Sequence, residues 1–212
     1  MANEEIREEN VQKAIHSGIQ CFIEDGIANT QLQYVAAKAG ISRRSCLRYF
    51  GNKDHFVIAV LGNINTRCHG DAVTYTKKLM IDYPKALDRF RALFEKTGEY
   101  FLEHPELFIL LAEGESYLIH SPEKETFLSQ YEYFRDYWPN VVLSLMEQGA
   151  EDGSITCFPK DYIQKNESNA IWYAYMGMLV QLAYSNALGN YTMERCSEII
   201  RRFIDQTIKS LN

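Results

Sequence analysis

The residues with the clearest potential for chemistry are the bases between Gly26 and Lys53. This segment contains no aspartate and no glutamate. Because the whole chain carries a net charge of -6, the remainder must be strongly acidic. A basic surface on an acidic protein is typical of a site for a polyanion such as DNA. The bases in this segment are Lys38, Arg43, Arg44, Arg48 and Lys53.

Other polar residues suggest catalysis or metal binding only weakly. Glu113, Glu115 and His120 could form an acid/base pair or a set of metal ligands, and Cys68-His69 could belong to a nucleophilic site. None of them has a spacing that fixes a chemistry. The five cysteines lack a Cys-x-x-Cys pair, which favours neither a disulfide framework nor a zinc site. We therefore expect no catalytic residue, no metal and no cofactor.

Two short helices are predicted to carry the bases. A run of apolar residues at helical spacing follows Thr30, whose side chain is suited to the N-cap position. Gly40 can adopt the left-handed conformation that ends this helix, and Ser42 can cap a second one. One face of the second helix holds Cys46, Tyr49 and Phe50, and the opposite face holds Arg43, Arg44, Leu47 and Arg48. A helix-turn-helix that presents such a basic face fits the major groove of DNA.

The run from Thr30 to Leu61 resembles the DNA-binding domain of the tetracycline-repressor (TetR) family. The resemblance implies an all-α protein with an N-terminal helix-turn-helix domain and a C-terminal helical domain that binds an inducer and pairs two subunits. Arg44 stands where the family often has glycine or alanine, and Leu47 where it often has an aromatic residue. The resemblance therefore gives the docking mode but not the operator sequence. The segments that carry it are Val35-Ala36, Ala39-Gly40-Ile41-Ser42 and Tyr49-Phe50-Gly51-Asn52-Lys53-Asp54.

These observations define the expected domains and DNA contacts. We predict a DNA-binding domain over residues 1–55 and a ligand-binding and dimerisation domain over residues 56–212. Lys53, at the start of the fourth helix, is expected to hold one phosphate. The predicted DNA-contacting residues are Thr30, Gln31, Ser42, Arg43, Arg44, Ser45, Leu47, Arg48, Tyr49 and Lys53.

The C-terminal domain is expected to contain long helices. The fourth helix is predicted to run toward Gly70, a later helix begins near Pro84, and Pro139 is expected to interrupt and kink another. The residues from Ala170 to Tyr184 are almost all apolar, and such a helix must be buried on every side. We therefore predict a homodimer through the last two helices, with Phe203 facing the partner.

A set of aromatic residues in this domain could line a ligand pocket or fill the core. Tyrosine and tryptophan supply apolar area with a polar group, which suits a flat or cationic small-molecule inducer. The predicted ligand-binding residues are Phe101, Phe108, Tyr117, Phe134, Tyr137, Trp138, Trp172 and Tyr175.

Two functions remain open at this point. The first is a ligand-responsive regulator, most simply a repressor, that binds a palindromic operator as a homodimer. The second is a helical scaffold or partner-binding protein with a degenerate DNA head, and salt-dependent DNA binding separates the two. The charged N-terminus lacks a signal-peptide core, and no apolar run reaches the roughly 20 residues that span a membrane. We expect a cytoplasmic protein without a membrane partner.

Overall fold

A computed structural model describes residues 2–157 and 165–212. Over these residues the secondary structure consists of α-helices without strands, which confirms the predicted all-α class. The helices are α1 (Ala2–Asp25), α2 (Leu32–Lys38), α3 (Arg43–Phe50), α4 (Lys53–Asp82), α5 (Ala86–Glu103), α6 (Pro105–Leu118), α7 (Lys124–Asp152), α8 (Lys165–Ala187) and α9 (Met193–Leu211).

The described residues fall into two compact units. Unit 1 comprises the ranges Met1–Cys68 and Ile109–Glu132, and unit 2 comprises His69–Phe108 and Tyr133–Asn212. The unit boundaries lie within α4, α6 and α7. This division rests on compactness, whereas the predicted boundary between residues 55 and 56 separates functions and stays a prediction.

The turn between α2 and α3 forms as the sequence predicts. Gly40 has a φ of +68°, a conformation that glycine adopts without a steric penalty. Its N–H donates to the carbonyl of Ala37 at 3.1 Å, and the N–H of Ile41 donates to that of Ala36 at 3.0 Å. Ser42 then caps α3, because its Oγ accepts from the N–H of Ser45 at 3.0 Å. Two carbonyls and one amide at the helix ends are thereby satisfied.

The start of α2 differs from the expectation. The N-cap position is Gln31 rather than Thr30, and no side chain bonds to the helix end there. Thr30 is buried, and its hydroxyl donates to the carbonyls of Gly26 at 2.8 Å and Cys21 at 3.2 Å. The prediction of a threonine cap was wrong because the hydroxyl instead satisfies the end of α1, a contact that helix spacing cannot reveal.

The first three helices pack together, and the beginning of α4 packs against them through Phe56. Asn52 caps α4 by accepting from the N–H of His55 at 2.8 Å. The fully buried Phe56 ring meets Phe22 of α1 at 5.8 Å and Phe50 of α3 at 4.8 Å, both edge-on. A Cβ on Gly18 of α1 would lie 2.5 Å from this ring. The three-helix head and α4 therefore share one aromatic core.

The fourth helix is longer than the sequence suggests, and α7 passes through its internal proline. The fourth helix continues beyond Gly70 to Asp82, and α7 extends through Pro139 to Asp152. A glycine inside a helix costs only about 1 kcal/mol relative to alanine, so packing can outweigh it. Proline lacks an amide hydrogen, but one missing bond did not end α7. The predicted end of the fourth helix near Gly70 was wrong, because a single weak position does not outweigh the rest of the helix. The kink at Pro139 stays a prediction.

Unit 2 is organised around α9, which packs against α5 and α8. Tyr175 of α8 is fully buried, and its hydroxyl donates to the carbonyl of Phe94 at 2.7 Å. Burial raises the pKa of this phenol. Gly98 of α5 leaves the room for that hydroxyl, since a Cβ there would lie 2.9 Å from it.

The contact at Gly18 yields a stability prediction. Gly18→Ala should lower the free energy of unfolding by about 1–3 kcal/mol, because the added methyl overlaps a Phe56 ring that its neighbours hold in place. Gly62→Ala, on α4, is the matched control, since a Cβ there meets no atom within 4 Å. It should raise stability by up to about 1 kcal/mol through helix propensity. Urea unfolding of both variants tests this, and equal effects would contradict it.

Candidate DNA-binding surface and candidate ligand-binding residues

The exposed face of α3 is the basic face that the sequence predicts. Arg43, Arg44 and Arg48 are exposed, whereas Cys46 is fully buried and Phe50 nearly so. Within the described part of the chain neither Arg43 nor Arg44 forms an ion pair or a side-chain hydrogen bond. Their guanidinium groups are therefore available to an external anion.

Arg48 is held against the following residue. Its guanidinium donates to the hydroxyl of Tyr49 at 3.2 Å and lies 5.1 Å from the centre of that ring. This hydrogen bond lowers the pKa of the Tyr49 phenol. The cation remains unpaired with any carboxylate in the described residues, so the pair extends the basic surface of α3 with a fixed geometry.

Lys38 contributes less charge than the sequence implies. Its ammonium lies 2.8 Å from Oε2 of Glu24 on α1, a residue just outside the acid-free segment. The hydrogen bond to Glu24 raises the pKa of Lys38. An exposed pair of this kind adds little stability, but it balances the local charge. The basic side chains that lack an acidic partner are therefore those on α3 and close to it.

Lys53 lies at the first position of α4 and already has a partner. Its ammonium donates to the carbonyl of Ala28 at 3.0 Å and lies 5.7 Å from the centre of the Tyr117 ring. Burial lowers the pKa of Lys53. An ammonium has three donors, so this geometry leaves donors for a phosphate.

The remaining predicted DNA contacts differ in exposure. Gln31 is exposed and its side-chain oxygen accepts from Gln33 at 2.8 Å, while Ser42 is exposed at the start of α3. Ser45 is half-buried, and its Oγ accepts from Ser42 at 2.9 Å. Thr30 is buried under the turn, so its side chain is not part of the exposed surface.

A polar cluster in unit 1 was not found from the sequence. The carboxylate of Asp54, in the first turn of α4, accepts from Tyr117 Oη at 2.6 Å and from Ser121 Oγ at 2.5 Å. These two hydrogen bonds lower the pKa of Asp54, Ser121 having the larger effect. Burial, together with the bond to Asp54, raises the pKa of Tyr117 to about 12. We call Asp54, Tyr117 and Ser121 the Asp54 cluster.

A contact between a histidine and a carboxylate lies beside this cluster. His55 Nε2 is 2.9 Å from Oε2 of Glu123, and the N–H of Glu123 donates to Ser121 Oγ at 2.9 Å. The start of α4 is thereby joined to the segment that connects α6 and α7. No spacing rule signals these contacts, because their partners are more than 60 residues apart.

The predicted ligand-binding residues are not all in one unit. Tyr117 belongs to unit 1 and to the Asp54 cluster, whereas the others belong to unit 2. Phe101 and Phe108 contact each other edge-on at 5.2 Å, and both are buried. Trp138 of α7 and Trp172 of α8 stack at 5.4 Å with an interplanar angle of 21°.

The aromatic residues of unit 2 differ in what they could offer a ligand. Trp172 and Tyr175 are buried within a continuous aromatic group that includes Phe94. Phe134 and Tyr137 are half-buried, as is Trp138, on which the Tyr137 ring packs edge-on at 5.2 Å. The buried members contribute to the core, and the half-buried members on α7 are the better candidates for ligand contact.

The Asp54 cluster predicts a pH dependence. Because the folded-state pKa of Asp54 is lowered, its ionised form stabilises the fold above the ordinary carboxyl pKa of about 4. That contribution is lost as the pH falls through the folded-state pKa. The stability difference between wild type and Asp54→Asn should therefore shrink between about pH 6 and about pH 3. Urea unfolding across this range measures it, with the exposed Asp25→Asn as control, and a pH-independent difference would contradict it.

Comparison with known proteins gives a family match for the N-terminal segment. Residues 14–60 match the model for "Bacterial regulatory proteins, tetR family", a segment that contains α2, the turn and α3. No curated protein is matched in sequence. No helix in the described ranges is long and apolar enough to cross a membrane.

Solved structures share the fold at low sequence identity. The fatty acid degradation regulator FadR of Bacillus halodurans is 14% identical, with a TM-score of 0.72 over 96% of each chain. Bacillus subtilis FadR in complex with stearoyl-CoA is 12% identical, with a TM-score of 0.67 over 95% of this chain and 99% of that one. Thermus thermophilus FadR, a TetR-family repressor in complex with lauroyl-CoA, is 14% identical, with a TM-score of 0.63 over 95% of each chain. Residues 14–60, which contain the helix-turn-helix, therefore match the DNA-binding domain of the tetR family of bacterial regulatory proteins, and the whole chain shares its fold with regulators of that family.

Proposed function

We propose that this protein is a ligand-responsive repressor that binds a palindromic operator as a homodimer and is released by a small-molecule inducer. The observation that carries the proposal is the exposed face of α3. It presents Arg43, Arg44 and Arg48 in a segment without acidic residues, although the protein as a whole is acidic. Placed in a groove of duplex DNA, this face would meet base edges and phosphates.

The dimensions of α3 agree with major-groove docking. An α-helix with its side chains is about 10–12 Å across, and the major groove is about 12 Å wide. Arg44, near the N-terminus of α3, is the residue we assign to a guanine, since a guanidinium can bond both O6 and N7. Arg43, Arg48 and Lys53 are assigned to phosphates, which fix the position of the head without reading sequence.

The affinity for DNA should depend strongly on the salt concentration. Wild-type protein should bind duplex DNA with an affinity that falls steeply as salt rises, despite the net charge of -6. Arg44→Ala should weaken binding to the preferred sequence by about 1–3 kcal/mol and relax the preference at one base pair. Fluorescence anisotropy with labelled duplexes at several salt concentrations measures both effects.

Lys96→Ala is the matched control for charge. It removes one exposed cation from unit 2, where Lys96 pairs with Glu99 at 3.0 Å, so the net charge changes by the same amount as in Arg44→Ala. Its DNA affinity should equal that of wild type. An affinity that does not change with salt would contradict DNA binding and favour the alternative, a helical partner-binding protein with a degenerate head.

The proposed dimer surface is the outer face of α8. Tyr173 is 50% exposed, and Ala174, Gly177 and Gln181 are exposed on the same helix. Phe203 of α9, expected to face the partner, is half-buried, and its ring stacks on buried Tyr175 of the same chain at 5.4 Å, which makes it a poor site for a test of the dimer. Small and apolar residues on α8 would let a second copy of the helix approach closely.

Gly177 allows a test that leaves the chain's own packing intact. A Cβ there meets no atom within 4 Å, so Gly177→Glu should fold normally while placing a charge in the proposed interface. We expect a monomer by sedimentation at micromolar concentration and loss of operator binding, since two half-sites about 34–36 Å apart, or a multiple of that distance, require two joined heads. Gly177→Ala is the control and should remain dimeric. A monomeric wild type, or a dimeric Gly177→Glu, would contradict the proposal.

The proposed inducer binds in the C-terminal helices. The half-buried aromatic residues of α7 support a flat or cationic compound, because ring faces attract both. Two proteins that share the fold were solved with acyl-CoA thioesters, so these compounds belong in the same screen. The two tryptophans of the chain stack in unit 2, and their fluorescence gives the binding signal. An inducer must bind the DNA-free form more tightly, and operator DNA must weaken its binding by the same factor.

A further inference from the structure

We propose that Leu47 recognises the methyl group of a thymine and thereby sets part of the operator sequence. This inference rests on the proposed function, because it assigns a role to a residue on the DNA-binding face. Leu47 is 38% exposed on α3, although Cys46 and Phe50 of the same helix are buried. It is the only aliphatic side chain of α3.

The exposure of Leu47 matters because Leu47 lies on the same face of α3 as the arginines. Single exposed leucines are common on protein surfaces and need no explanation by themselves. Leu47, however, lies three residues after Arg44 and four after Arg43, so all three share one face of the helix. A face that docks in the major groove must place Leu47 against base edges or leave its apolar surface in contact with polar atoms.

The chemistry of the groove then selects one base. Among the groups on the major-groove edges, the C5-methyl of thymine is the apolar one. A leucine side chain offers no hydrogen-bond donor or acceptor, so it cannot distinguish the other edges by bonding. Contact with a thymine methyl buries two apolar groups against each other. Contact with an amino or carbonyl group of a base would remove water from that polar group without giving it a hydrogen-bond partner.

The spacing along α3 predicts where the thymine lies. Residues three or four apart are separated by about 4.5–6 Å along the helix axis. Base pairs are stacked about 3.4 Å apart, so the thymine should lie one or two base pairs from the guanine assigned to Arg44. The last turn of α3 is closed at this point, since the carbonyl of Leu47 accepts from the N–H of Gly51 at 2.8 Å.

Deoxyuridine substitution tests this directly, because it removes only the methyl group. Wild-type protein first selects duplexes from a random-sequence pool, and each thymine of the selected half-site is then replaced in turn by deoxyuridine. We expect one position, one or two base pairs from a guanine, at which the replacement weakens binding by about fourfold, the effect of burying one methyl group. Leu47→Ala should bind the thymine duplex and the deoxyuridine duplex equally. The loss of affinity caused by removal of the methyl group would then be absent from this variant in the double-mutant cycle.

Two further variants separate recognition from folding. Leu47→Met keeps an apolar side chain of similar volume and should keep the preference for thymine. Ile23→Ala removes a similarly exposed aliphatic residue, 40% exposed on α1, and should leave the preference unchanged. A selected site without a methyl-sensitive thymine, or a methyl effect that persists in Leu47→Ala, would overturn the inference while leaving DNA binding intact. Failure to select any duplex would overturn the proposed function as well.

Discussion

The packing of Phe56 is the contact on which the DNA-binding head depends. Its ring is fully buried between Phe22 of α1 and Phe50 of α3, and Gly18 leaves the space for its edge. Each such aromatic pair contributes about 0.5–1.5 kcal/mol beyond the area it buries. Because Phe50 is the last residue of α3, the orientation of the basic helix is fixed relative to the start of α4.

Much of the head could be predicted because its signals are local. The left-handed glycine at position 40 and the serine cap at position 42 act over a few residues, and both form as expected. The division of α3 into a buried and a basic face follows from helical spacing alone.

The errors and omissions have the opposite cause, since they depend on contacts between distant residues. Lys38 forms an ion pair with Glu24 of α1. In the Asp54 cluster, Asp54 is joined to residues that are more than 60 positions away. Phe203, expected to face a partner, is half-buried with its ring stacked on Tyr175. The fourth helix continues beyond Gly70, since one glycine costs a helix only about 1 kcal/mol relative to alanine. Periodicity identifies such helices but cannot assign the partner of each face.

Chemical modification of the bases shows whether α3 enters the major groove of duplex DNA, as proposed. Dimethyl sulfate methylates N7 of guanine in the major groove and N3 of adenine in the minor groove, so one reagent reports on both grooves. The proposed docking predicts that the protein protects guanine N7 within the selected site and that prior methylation there blocks binding. Protection confined to adenine N3, or binding that is indifferent to methylated guanine, would contradict it.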